Sequence, residues 1–370
     1  MIAGGATSTT TASCSVDLPA ITFLGKNDTD RSGAEQLGDR VHAHGDHPLT
    51  PAHADAFARC SGNPDSSCSL VDRNGKVAQS GHVDIGIGLP TTISGVAGTT
   101  VLEWARRADA AGFSTLGTID RVVYGNYDAV PALAAAAAVT SRIRLTTAIL
   151  ISPYRGNGAL LAKQLASVDQ LSGGRLVVGI AVGGREDDYA ATGSDFSGRG
   201  KAQDALLAEM RAVWAGEPRG FAGAIGPVPV QPGGPPLLIG GNGAAAIRRT
   251  TSVGAGWIAG GGGPAMFADT AAGVRDAWTA AGREGAPRLV ALGYYALGSG
   301  GPDAARRYLT DYYGFLGPVA DQIAAGASTD VDAVRSTIDA FAEAGCDELI
   351  LFSCSPDLDQ VDRLADVAVR

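Results

Sequence analysis

Two β-branched, apolar runs at residues 143–151 and 175–182 flank a segment in which Leu160, Leu161, Gln164, Leu165, Val168 and Leu171 recur near the i, i+4, i+7, i+8 spacing of an amphipathic helix. Gly173 and Gly174 follow, where a helix needs a left-handed C-terminal cap. A strand–helix–strand unit of this kind makes its two strands parallel neighbours. Function in such a unit usually sits where each strand ends, here at SPYRGN and GGREDDY.

The same alternation runs from Val83 to the end of the chain. Strands are expected at 84–89, 114–119, 143–151, 175–182, 237–240, 256–259, 289–297 and 348–353, with helical segments between them. Eight strand–helix pairs over roughly 285 residues predict an α/β fold of the (β/α)8 TIM-barrel type. A doubly wound open sheet is the rival, but the regular repeats and the lack of an early dinucleotide fingerprint favour the barrel. The barrel domain is expected to occupy residues 82–370. Residues 1–81 are small, polar and aperiodic, and read as a disordered, low-complexity extension with too little apolar surface to offset its ordering entropy. His42, His44, His47, His53 and His82, all five histidines, lie in this extension or at its edge. HAHGDH could hold zinc or nickel, but a solvated arm is the expected reading, with no metal site.

The formal net charge of −9 and the absence of a basic face exclude nucleic-acid and anionic-membrane partners as expectations. The apolar stretches, at most about ten residues, are too short to cross a bilayer. The start of the chain lacks the basic and apolar regions of a secretory signal. Cys14, Cys60, Cys68, Cys346 and Cys354 follow no metal or disulfide spacing, so a cytoplasmic location is expected.

In a barrel, all eight strand ends converge on one face. The second strand ends in Asp120 and Arg121, with Tyr124 and Tyr127 close behind, and the third in Tyr154 and Arg155. A rim salt bridge and simple packing of the tyrosine compete with a functional reading of these residues. The fourth strand ends in Gly183 and Gly184, which let backbone amides approach a ligand, and in Arg185, which can supply charge-assisted bonds. After the fifth strand, Gly240, Gly241, Asn242 and Gly243 lead directly into a helix, an arrangement suited to a phosphate; a tight turn without a ligand is the alternative. GGGGP at 260–264 repeats the pattern. There is no Gly-x-Ser-x-Gly elbow, no histidine beyond His82, and no evident base for Cys346 or Cys354. Such a barrel points to chemistry supplied by a cofactor. A phosphate-binding lyase or isomerase is the rival, but Lys163 and Lys201 fall in helices rather than at strand ends.

VDIGIGLP, AGFSTLGTIDR, SRIRLTTAILISPYR, LAKQLASVDQLSGGRLVVGIAVGGREDDY, PPLLIGGNG, VGAGWIAGG and DELILFSCSPDLDQVDRLADV together resemble the bacterial luciferase-like superfamily across residues 83–369. The resemblance implies a flavin- or deazaflavin-dependent oxidoreductase, of monooxygenase type, acting on a small organic substrate. A deazaflavin-dependent reductase or dehydrogenase and a non-catalytic flavin-binding subunit are its alternatives. FMN or a deazaflavin (coenzyme F-420) is the implied cofactor, with NAD(P)H as reductant, a separate flavin reductase as a further partner and a homodimer as the assembly. By position, a non-proline cis peptide in the third strand would join Ala148 and Ile149 and support the cofactor ring. Asp120 would contact the ring, and Gly183, Gly184 and Arg185 with Gly241, Asn242 and Gly243 would receive the ribityl chain and phosphate. Many relatives carry a histidine where this chain has Arg121. An arginine stays protonated and cannot serve as a general base, but with Asp120 it could line the ring edge as a catalytic, charge-stabilising group. The long charged segment 186–200 is expected to act as a lid.

Overall fold

The computed structural model describes residues 83–221 and 223–369, with a short antiparallel strand pair, Leu70–Val71 and Val77–Ala78, described upstream. The remainder of the 1–81 extension, all five histidines, Cys14, Cys60 and Cys68 lie outside the described residues. The expectations placed on them are therefore not tested.

Eight parallel strands close into a barrel in chain order: β1 (Asp84–Gly88), β2 (Thr115–Thr118), β3 (Arg144–Ile151), β4 (Leu176–Ala181), β5 (Leu237–Gly240), β6 (Gly256–Ile258), β7 (Arg288–Tyr295) and β8 (Glu348–Ser353). β8 pairs with β1 to complete the ring. Helices α1 (Gly98–Ala111), α2 (Ala129–Ala137), α3 (Gly158–Ser172), α4 (Glu186–Ala191), α5 (Arg199–Trp214), α6 (Ala244–Val253), α7 (Gly263–Ala280), α8 (Gly301–Tyr312), α9 (Val319–Ala325), α10 (Val331–Glu343) and α11 (Asp359–Ala368) complete the described alternation. The expected barrel is thus the observed one.

Local chemistry sets the helix ends. The Asn157 side chain accepts from the Leu160 amide at the start of α3, and Gly173 ends that helix at φ 66°. Asp128 and Asp330 cap α2 and α10 in the same manner. Burial divides into two layers. Ile87, Leu116, Leu145, Val178, Trp257 and Leu351 face outward against the helices. Ile119, Ala148, Leu238, Ile258, Ile350 and Phe352 fill the lumen. Alternation along each strand produces both layers.

The strand starts carry a polar lock. Buried Glu348 on β8 accepts from Arg144 Nη2 of β3 at 3.0 Å, Arg288 Nη2 of β7 at 2.9 Å and Ser114 Oγ at 2.5 Å. Arg144 also donates to Asp84 of β1 at 3.1 Å. This end of a barrel serves stability, and the candidate site residues lie at the other.

The segment expected to be a lid, 186–200, begins as a short helix packed on the barrel. Within 186–200, α4 forms at once, with Asp188 2% and Tyr189 1% exposed. The Tyr189 ring packs edge-on against Tyr154 at 5.6 Å and Phe196 at 5.2 Å. Of the segment's charges, Asp187 and Asp188 pair with Arg121 of the β2 loop. Among the described residues, no helix is long and apolar enough to cross a membrane.

Candidate active site at the barrel mouth

Asp120 follows β2 and its side chain is fully buried. It accepts from the Ile151 amide at 3.0 Å, Tyr154 Oη at 2.9 Å and Arg155 Nη2 at 2.7 Å. Asp120 therefore meets both members of the pair expected at the end of β3, whereas its neighbour Arg121 does not join them. Burial pushes the Asp120 carboxyl up, and Arg155 with the Ile151 and Tyr154 donors pulls it back without cancelling that rise. Burial lowers the Arg155 guanidinium, but Asp120 and Asp128 outweigh it and hold it above its ordinary value. Because Asp120 grips the Ile151 amide, it fixes the end of β3.

That end is irregular. The β3–β4 register shifts between Thr147 and Leu150, and the peptide joining Ala148 and Ile149 is cis, at the position the resemblance indicated. Ala148 is buried and Ile149 half-buried. A Cβ on Gly240 would lie 2.9 Å from Ile149 Cδ1 and 3.0 Å from Ala181 Cβ, and one on Gly260 would lie 3.6 Å from the same Cδ1. The bulge, the end of β5 and the turn after β6 therefore form one floor.

Beside the floor are open backbone turns. Gly241 takes a left-handed φ of 113°, which favours glycine. Gly241, Asn242 and Gly243 are exposed, and Gly243 caps α6 without a side-chain hydrogen bond. A Cβ on Gly184 or Gly243 would meet nothing within 4 Å. Asn242 Nδ2 makes a weak contact with Met266 Sδ at 3.6 Å, and Gly183 is packed on Ile151.

Two arginines are placed differently from a simple ligand-binding reading. Arg121 donates from Nε to Asp188 Oδ2 at 2.8 Å, and from Nη2 to Asp187 Oδ2 at 3.0 Å and to the Val123 carbonyl at 2.9 Å. Arg185 turns away from the glycine turn. Its Nη2 donates to the Tyr312 carbonyl at 2.8 Å, and its guanidinium lies 4.7 Å from the Tyr312 ring centre and 3.8 Å from that of Phe315. Burial lowers its pKa.

Missing from the sequence reading is an aromatic wall from β7, β8 and α8: Tyr294, Phe352, Tyr308, Tyr312 and Tyr313. RRYLTDYYGF carries tyrosines at i, i+4 and i+5 just beyond a strand, a signal that resembles ordinary helix packing. Tyr124, whose place near the mouth was expected, packs edge-on against Tyr312 at 5.1 Å.

A family model for luciferase-like monooxygenases matches residues 83–349. An uncharacterised protein of Mycobacterium tuberculosis is 32% identical over 196 residues, spanning 45% of this chain and 67% of that protein. An FMNH(2)-dependent dimethylsulfone monooxygenase of Pseudomonas fluorescens is 32% identical over 127 residues, spanning 32% of this chain and 34% of the relative. Among solved structures, an F420-dependent secondary alcohol dehydrogenase in complex with an F420-acetone adduct superposes with a TM-score of 0.63. It shares 21% identity over 78% of this chain and 99% of that one, a likeness of fold alone.

Proposed function

Because this chain belongs to the luciferase-like monooxygenase family, we propose that it is a flavin- or deazaflavin-dependent oxidoreductase of monooxygenase type acting on a small organic substrate. The observation that carries this reading is the floor where Ile149 meets Gly240 and Gly260 without room for another Cβ at Gly240. A flat ring fits against such a floor, and the open turns at Gly184 and Gly243 admit a chain and phosphate close to backbone amides. The residues present thus fit FMN or F-420. When bound, that group supplies hydride transfer and, for a reduced flavin, reaction with dioxygen, with NAD(P)H as the ultimate reductant directly or through a separate reductase.

The chain's own groups divide the remaining work. Asp120 holds the Ile151 amide and so sets the floor. Arg121, fixed by two carboxylates, presents a permanent positive charge rather than a proton acceptor. Ala148 and Ile149 support the ring, Gly183 and Gly184 with Gly241, Asn242 and Gly243 line the tail, and Arg185 steadies the wall above it.

Titrating the purified protein into FMN, FMNH2 or F-420, with cofactor fluorescence or absorbance as readout, tests the reading. One of the three is expected to bind with micromolar affinity or better, and to be identified by mass after release. Binding by none of them overturns the proposal. Turnover with the bound cofactor, set beside Arg121→Ala, then separates an enzyme from a flavin-binding subunit.

A further inference from the structure

Outside the barrel, α5 and α6 enclose a cavity of about 300 Å³. Asp204, Leu207 and Arg211 line it from α5, at the i, i+3, i+7 spacing that shares one helix face. Ala245, Arg248 and Arg249 line it from α6, again on one face. Barrel helices run from the strand-end face toward the opposite face. Ala245, the second residue of α6, therefore sets the upper end of the groove beside the exposed turn at Gly241, Asn242 and Gly243, and the groove leads away from that turn.

Its arginines are not equivalent. Arg249 donates from Nε and Nη2 to the two Asp204 carboxylate oxygens at 2.5 and 3.1 Å, and from Nη2 to the Gly200 carbonyl at 2.9 Å. This bridge ties α5 to α6 and occupies the one carboxylate in the groove. The bond from Arg249 holds the Asp204 carboxyl below its ordinary value against the effect of burial, and the charges of Arg249 and Arg248 add to it. Arg211 and Arg248 are exposed, and among the described residues their side chains make no hydrogen bond or close ion pair. On a chain of net charge −9, two uncommitted guanidiniums thus line one groove. Carboxylates and phosphates are the groups a guanidinium pairs with best.

We propose that this groove receives the carboxylate-bearing tail of a deazaflavin cofactor, with Arg211 and Arg248 as its partners. The proposal rests on the cofactor reading above and chooses within it. FMN ends at its phosphate, whereas F-420 continues past its phosphate into a chain of glutamyl carboxylates. Arg248 stands five residues beyond Gly243, about 7 Å along the helix axis. A chain leaving a phosphate at the Gly241–Gly243 turn reaches it within its first few units.

Fluorescence titration of F-420, of the corresponding deazaflavin monophosphate without the tail, and of FMN tests it, on wild type and on an Arg211→Ala, Arg248→Ala double variant. Wild type should bind F-420 about fivefold or more tighter than the tail-free deazaflavin, the size of a few exposed ion pairs. Raised salt should shrink that difference. The double variant should lose the difference and keep its affinity for the tail-free compound, because neither side chain is bonded to the rest of the fold. Equal affinity for the two deazaflavins in wild type, or a preference that survives in the double variant, overturns the proposal. Binding of FMN alone overturns the tail site and leaves the flavin reading standing, whereas binding of none of the three overturns that reading and the tail site with it.

Discussion

Arg121 Nε donates to Asp188 Oδ2 across 2.8 Å, with the two side chains 4% and 3% exposed. The same carboxylate accepts the Val122 amide at 3.1 Å and the Val123 amide at 2.7 Å. One side chain on α4 therefore holds the β2 loop through three donors.

Asp188→Ala leaves a buried guanidinium and two amides without their acceptor. Loss of one partner from a buried pair costs about 3–5 kcal/mol. Asp187, the second carboxylate on Arg121, is 50% exposed, so Asp187→Ala should cost less than about 1 kcal/mol. Urea denaturation of the two variants checks the contrast. Equal stabilities would show that Asp188 does not pin the loop.

This pair also marks where sequence reading ends. The barrel was legible because apolar strands and amphipathic helices alternate with periods that neighbouring residues reveal on their own; the expected strand at 237–240 coincides with β5. Asp120 and Arg155 were legible as groups at strand ends, though not as partners. Asp188 stands 67 residues from Arg121, and no local pattern assigns that contact. Arg185 illustrates the reverse problem. Its place beside a glycine turn implied a ligand, but the aromatic rings of a helix 127 residues away draw its guanidinium elsewhere. Tyr308 and Tyr312 share the spacing of ordinary core positions, so only closure of the barrel shows that they face its mouth.

At the opposite end, burial pushes Glu348 up, while Arg288 and Arg144 outweigh it and hold the carboxyl below its ordinary 4.5. A folded value below the unfolded one means that the unfolded chain binds more protons between them, so stability rises with pH there. This contribution is fully present above about 4.5 and is lost as pH falls through the lower folded value. Glu348→Gln should cost about 1–3 kcal/mol at neutral pH and flatten the acid limb. Denaturation midpoints between neutral pH and acid measure both, and an unchanged acid slope would exclude Glu348 as its source.

Asp120 has the opposite sign. Its folded carboxyl titrates above the ordinary 3.8, so this group's contribution falls as pH rises from that value through the raised one. Arg155→Ala removes the attraction that limits the rise. The gap in stability between wild type and Arg155→Ala should therefore be small in acid and widen toward neutral pH, where it reaches about 3–5 kcal/mol. A gap independent of pH would assign the loss to packing instead.

Gly184 and Gly240 separate ligand approach from structural fit. A Cβ on Gly184 meets nothing within 4 Å, so Gly184→Ala should change stability by no more than about 0.5 kcal/mol. If the proposed cofactor tail approaches that amide, the same methyl occupies its path, and affinity should fall about tenfold or more with the fold intact. Gly240→Ala differs, because its Cβ would lie 2.9 Å from Ile149 Cδ1 and 3.0 Å from Ala181 Cβ. Overpacking there should cost about 1–3 kcal/mol and shift Ile149, so stability and cofactor affinity fall together. Denaturation and cofactor titration on both variants distinguish the two effects. Full affinity in Gly184→Ala would place the tail elsewhere, and full affinity in a destabilised Gly240→Ala would remove Ile149 from the floor that supports the ring.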